Sequence, residues 1–177
     1  QGTYEVIQQL AGFEAPAAEW ERSILPARVR NYRRSFLDDL TLSGRVAWGR
    51  LWSAGAAPVR TTPLCLLPRD DLDGWLGLAG VAGAEDLVGG TGEVYRLLKE
   101  RGAQFAQDLQ RRARLLPEHF EGALGELITR GLVSSDSYAG LRALVVTPAQ
   151  RRYAMPSAGR WSLFRDEELD PPPHEEL

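Results

Sequence analysis

Apolar positions along this chain fall into two runs, and each run passes through the same order of periods. In the first, Tyr4, Ile7 and Leu10 recur at helical spacing until Gly12 stops the pattern. Pro16 then stands at a first-turn position, with Ala17, Trp20, Ile24 and Leu25 on one stripe, and Pro26 is expected to end that helix. A third helix is predicted from about Arg33 to Leu42, carrying Phe36, Leu37, Leu40 and Leu42, with Gly44 where a left-handed cap belongs. The period then falls to near two. Val46, Trp48 and Leu51 read as a strand, Ser53 to Pro58 as a flexible turn, and Thr61 to Leu67 as the returning strand.

Residues 69–89 are acidic and Gly-rich, which predicts a linker holding one short amphipathic helix near Leu72 to Leu78. The second run begins after it. Val94, Leu97 and Leu98 mark a helix ending at Gly102, Phe105, Leu109 and Ala113 a second, and Phe120, Ala123, Leu124, Leu127 and Ile128 a third that Pro117 opens and Gly131 caps. Leu132 and Val133 start a strand, Ser134 to Gly140 reads as a polar wing, and Leu141 to Val146 as its return. Three helices, strand, wing and strand make the order of a winged helix. The expected fold class is therefore α+β: two tandem winged-helix-like units with small antiparallel sheets, at 1–68 and 90–152. Residues 153–177 are expected to hold one short strand, Arg160 to Phe164, and a disordered Pro-rich acidic tail.

Composition narrows the function classes. Among 177 residues, 44% are hydrophobic and 25% charged, the balance of a soluble domain, and the longest apolar run, Trp75 to Ala82, is too short for a membrane span. With one cysteine and two histidines, neither a disulfide framework nor a zinc site is expected, and a reducing cytoplasm fits. The chain starts at Gln1 and its single methionine is Met155, so it reads as a piece of a longer protein. The net charge of −3 conceals clustering: Arg22 to Arg60 holds eight arginines against only Asp38 and Asp39, while 69–89 holds one arginine against five acids. Such clustering leans toward nucleic acid.

Particular words then carry a resemblance. Gly12-Phe13-Glu14-Ala15-Pro16-Ala17, Trp20-Glu21, Ile24-Leu25-Pro26-Ala27-Arg28-Val29 and Leu42-Ser43-Gly44-Arg45-Val46-Ala47-Trp48 occur in order. Arg60-Thr61-Thr62-Pro63, Arg101-Gly102-Ala103, Arg130-Gly131-Leu132-Val133, Gly140-Leu141-Arg142-Ala143-Leu144 and Gly159-Arg160-Trp161-Ser162-Leu163 follow. Across nearly its whole length the chain resembles the long bacterial Lhr (large helicase-related) helicases. The resemblance implies a parent that is a superfamily-2, ATP-dependent DNA helicase linked to DNA repair. It places this segment after the motor core, in or beside a C-terminal array of tandem winged helices that resembles a crosslink-unhooking glycosylase. ATP and Mg2+ are then expected for the parent alone, since the chain has no Gly-x-x-x-x-Gly-Lys-Ser/Thr loop and no Asp-Glu-x-His box.

Candidate contacts follow from charge. Arg28, Arg30, Arg33 and Arg34 precede and open the first unit's third helix, where free N–H groups and the helix dipole already favour phosphate. Arg111, Arg112 and Arg114 lie ahead of the second unit's third helix, and Tyr138 in the wing could stack on a strand. Arg33 and Arg34 are expected to outrank the second set, because Glu118 and Glu121 oppose the field of the second helix. The same arginines also fit a solvated loop or a face that pairs with neighbouring domains. Asp38-Asp39 and Asp70-Asp71 are adjacent pairs facing different ways, and His119 lacks partners at ligand spacing, so no catalytic or metal-binding residue is assigned. The leading expectation is a non-catalytic DNA-binding module of a helicase, with single-stranded or branched DNA and the parent's other domains as partners. The alternative is a structural inter-domain or oligomerisation module that never touches DNA.

Overall fold

The computed structural model describes residues 2–52, 58–80, 83–146 and 159–165. Its first unit runs α1 (Thr3–Gln9), β1 (Ala15–Pro16), α2 (Ala17–Glu19), a π-helical turn (Trp20–Ile24), α3 (Leu25–Arg28), α4 (Arg34–Leu42), β2 (Val46–Gly49) and β3 (Pro63–Pro68). The three strands form an antiparallel sheet in the order β1-β3-β2. Gly44 adopts φ +75 as the cap after α4. Pro26 does not end its helix, as it was expected to. The wider π turn lies directly upstream, where the proline ring would otherwise crowd the carbonyl four residues back, and helical backbone continues to Arg28.

A 3-10 turn (Arg69–Asp71) leads into α5 (Leu72–Ala79). This stretch is no free linker. Leu72 and Leu76 are buried with Ala47, Leu51, Cys65 and Leu67 on the outer face of the first sheet, and Phe164 joins them from the far end of the chain. Alternate residues of the same strands, Val46, Trp48, Leu64 and Leu66, enter the main core instead. Period-two alternation therefore persists in β2 and β3, but both faces are covered and every residue of β2 is buried.

The second unit runs α6 (Gly89–Arg101), β4 (Gln104–Phe105), α7 (Ala106–Ala113), α8 (Pro117–Thr129), β5 (Val133–Ser135), α9 (Tyr138–Val145) and β6 (Arg160–Leu163). Its antiparallel sheet has the order β4-β6-β5, the same plan as the first. The expected fold class, two winged-helix-like units with small antiparallel sheets, is what the chain adopts. Two assignments change. Leu141 to Val146 was expected to return as a strand, yet Tyr138–Val145 is a helix, with Tyr138, Leu141, Arg142 and Val145 at helical spacing. The return strand is β6, the middle strand of this sheet, so the second unit extends past residue 152. Residues 147–158, the wing residues 53–57 and the tail 166–177 lie outside the described residues.

One core joins the units. Trp48 of β2 meets Tyr138 of α9 edge-on at 6.3 Å and Trp161 of β6 at 5.9 Å, and all three are buried. Ser134 donates its hydroxyl to the Trp48 carbonyl at 2.5 Å, and Arg50 Nη1 donates to the Thr129 carbonyl at 2.5 Å. Gly131 (φ +72) lies so close to Arg50 that a Cβ would stand 2.6 Å from its carbonyl oxygen.

Candidate nucleic-acid interface

The connector from α3 to α4 gathers the first set of arginines. Leu25 and Val29 anchor it in the core, Asn31 turns it with φ 53, and Arg28, Arg30, Arg33 and Arg34 are all exposed around that turn. Arg28 donates to the Ile24 carbonyl at 3.2 Å, and Arg33 sits 5.9 Å from the centre of the Phe36 ring. Arg30 makes no hydrogen bond or ion pair among the described residues. Arg34 begins α4, 4.0 Å from Glu21. The connector thus presents guanidinium groups that keep their donors largely uncommitted beside the N-terminal end of a nine-residue helix.

Glu21 is the hinge of an arrangement that short-range sequence patterns do not disclose. Its carboxylate, with only 8% of the side chain exposed, accepts Nε and Nη2 of Arg142 at 2.6 and 2.7 Å and the Tyr32 hydroxyl at 3.2 Å. Arg142 also reaches Asp38 of α4 at 3.0 Å. Burial pulls the Arg142 guanidinium down, but the bonds to Glu21 and Asp38 more than offset it, so it stays charged. Burial beside Glu21 pushes the Tyr32 hydroxyl above its ordinary range. In this way α9 clamps the arginine connector from behind, across 121 residues of sequence.

The second set lies ahead of α8, on the end of the helix before it. Arg111, Arg112 and Arg114 crowd the C-terminal end of α7, where their charge complements exposed carbonyls, and Arg114 itself is left-handed at φ 55. Arg111 is paired with Asp108, while Arg112 and Arg114 are exposed. Tyr138 is a correction. It is 2% exposed, its hydroxyl donates to the Ala17 carbonyl at 2.9 Å, and its ring has no face open to a base. Phe105, expected in the core with Leu109, is 48% exposed at the start of α7.

Residues 1–69 match the family described as Large helicase-related protein, winged-helix domain. The chain is 30% identical to the "Lhr helicase/uracil glycosylase" of Escherichia coli (strain K12) over 201 aligned residues, covering 96% of this chain and 13% of that protein. It is 33% identical to the "Lhr helicase/ probable uracil glycosylase" of Mycolicibacterium smegmatis, covering 88% of this chain and 10% of the relative. The chain belongs to the Lhr family. It spans only that small share of its Lhr relatives. Among the described residues of this Lhr segment, no His, Cys, Asp and Glu side chains group in a way that could hold a metal, and no helix is long and apolar enough to cross a membrane.

Proposed function

We propose that this two-unit body is a non-catalytic DNA-backbone-binding module of an ATP-dependent Lhr-type helicase acting in DNA repair. The observation that carries the reading is the connector between α3 and α4, where exposed Arg28, Arg30 and Arg33 converge on a helix N-terminus. The rest of the helicase would supply the ATP and Mg2+ chemistry, and single-stranded or branched DNA in the cytoplasm would be the natural substrate. Anisotropy titrations on duplex and single-stranded DNA at several salt concentrations test it. Three phosphate contacts predict a slope of log affinity on log salt of about −2.7 on duplex, three times −0.9. Charge reversal at Arg30 and Arg33 should remove about two of those contacts and weaken binding to every sequence alike. The second-unit pair Arg111 and Arg112 should matter less on duplex. An unchanged slope in the Arg30→Glu, Arg33→Glu protein would overturn the assignment. Leu78 (74% exposed) and Val88 (79%) support a second reading, in which the body packs its linker face against other domains. That reading predicts no DNA binding even at low salt.

A further inference from the structure

Two cavities adjoin at Ala103. One, of about 330 Å³, is lined by Arg101, Gln104, Phe105, Asp108 and Arg112 beside Ala103. The other, of about 410 Å³, lies where the two units meet, with Ser43 and Arg69 from the first unit facing Arg160 and Ser162 from the second. β6 joins them physically, because Arg160 pairs directly with Phe105 across the sheet. The two cavities, sharing Ala103, together form a trough with α7 at one end and the 3-10 turn before α5 at the other.

Its charges are sorted in a telling way. Both carboxylates are already engaged: Asp108 by Arg111, and Asp136 by Arg160, whose Nε lies 3.2 Å away. Arg69, Arg101 and Arg112 are exposed and make no ion pair or hydrogen bond through their side chains among the described residues. The exposed ring of Phe105 lines the first cavity together with Arg101 and Arg112, its backbone held by the β4–β6 pairing, and Arg69 lines the second. Among the described residues the other exposed large aromatics are Phe13, next to Glu14 in the chain, and Trp52, whose amide bonds to Glu14 and whose ring meets Trp75 of the acidic segment.

We infer that this trough binds single-stranded nucleic acid, with one unstacked base on Phe105 and the flanking phosphates on Arg112, Arg101 and Arg69. Cations spaced along a concave path and interrupted by an aromatic face match a strand with phosphates at regular intervals and π-faces between them. A duplex hides its base faces, so Phe105 gains nothing from it. The inference deepens the reading as a DNA-binding module and uses a face other than the α3–α4 connector.

The test compares the intact 177-residue chain with its Phe105→Ala, Phe105→Leu, Phe105→Tyr and Arg101→Glu, Arg112→Glu variants on three probes. These are a thymidine homopolymer strand, an abasic strand of equal length and charge, and a duplex. Loss of one stacked base lowers homopolymer affinity on the order of 5- to 100-fold in Phe105→Ala and Phe105→Leu, with binding restored in Phe105→Tyr. Abasic and duplex binding stay within about twofold in all three Phe105 variants. The double arginine variant lowers the single-strand salt slope by about 1.4, two contacts at 0.7 each. Equal affinity of the native chain for homopolymer and abasic strands would overturn the inference while leaving the connector reading intact. So would undiminished binding in Phe105→Leu, which would mark the ring as an apolar contact for protein. If reversal at Arg30 and Arg33 leaves duplex binding untouched while Phe105→Ala still weakens the homopolymer, the connector reading fails and the trough stands. No binding to any probe at low salt overturns both.

Discussion

Arg142→Met tests whether α9 holds the two units together by charge. The substitution keeps an unbranched stem against Tyr138, whose ring centre lies 5.7 Å from the guanidinium carbon, and removes the bonds to Glu21 and Asp38. Breaking a fully buried pair costs about 3–5 kcal/mol, mostly as the stranded charge. Here the strands separate by exposure. Asp38 has 28% of its side chain exposed and regains water, whereas Glu21 at 8% does not, and keeps only the Tyr32 hydroxyl at 3.2 Å and Arg34 at 4.0 Å. The expected loss is therefore about 2–3 kcal/mol, reduced from the fully buried figure by what Asp38 recovers. For a chain of this length that lowers the unfolding midpoint by roughly 5–10 °C, read by circular dichroism as one transition. Arg142→Lys keeps the charge but loses the planar fork, and should fall between. Adding Glu21→Gln to Arg142→Met should cost about 1–2 kcal/mol less than the two single losses summed, because the stranded carboxylate is gone. A loss under about 0.5 kcal/mol with strictly additive singles would refute the clamp.

Alkaline pH should destabilise the fold through its buried hydroxyl and thiol groups. Burial, reinforced by Glu14, raises Cys65 from its ordinary 9.0, and burial with Glu21 raises Tyr32 and Tyr138 from 10.0. The folded chain then holds protons that the unfolded chain releases, so stability is intact below about pH 9 and falls as pH climbs through 9 and 10. Thermal midpoints measured up to about pH 11 check this, a flat profile would contradict it, and Cys65→Ala should remove the step nearest pH 9. Gly131→Ala should cost clearly more than Gly44→Ala, although both glycines are left-handed. Each substitution strains the backbone by about 1–2 kcal/mol, but only at Gly131 does the new Cβ meet the Arg50 carbonyl, whereas space at Gly44 is open. Equal losses in chemical denaturation would mean that the seam between the units gives way easily.

Where the period was long and its stops strong, the chain was legible. Gly44, Gly102 and Gly131 all carry the positive φ expected of helix ends, and α4, α6 and α8 lie where their apolar stripes put them. β1 and β4 are two residues each, too short to leave any period. Leu141 to Val146 is an almost unbroken apolar run, and such a run reads equally as strand or buried helix. Tyr138 looked like a wing residue because Ser134 to Gly140 is polar by composition. In the fold Ser134, Ser135 and Ser137 are buried and spend their groups inside the seam, Ser134 on the Trp48 carbonyl and Ser135 on the Ser137 amide. Of the candidate arginines, exposure followed from local sequence, but pairing did not. Arg34 and Arg111 meet acids three to thirteen positions away, and the more consequential Arg142 meets Glu21 only through the fold.

On the proposed reading, the seam explains why DNA contact avoids the third helices of both units. In a winged helix that helix ordinarily enters the major groove. Here α4 is covered on one side by α9, which bonds its Asp38 and Thr41 through Arg142 and the Tyr138 amide. α8 presents Glu118 and Glu126 outward, with Glu121 half-buried between them, while its far end is buried against the first unit, with Thr129 bonded to Thr62 at 3.2 Å and Gly125 packed so close to Val59 that a Cβ would lie 2.9 Å away. A helix so acidic repels phosphate, and one so covered cannot enter a groove. Among the described residues, uncommitted cations sit at the α3–α4 connector, along the trough and near the end of α7, which are edges and connectors of the two units. With α4 covered by α9 and α8 acidic on its open face, the usual mode of sequence readout is lost, and on the proposed reading what remains suits the sugar–phosphate chain and a single unstacked base.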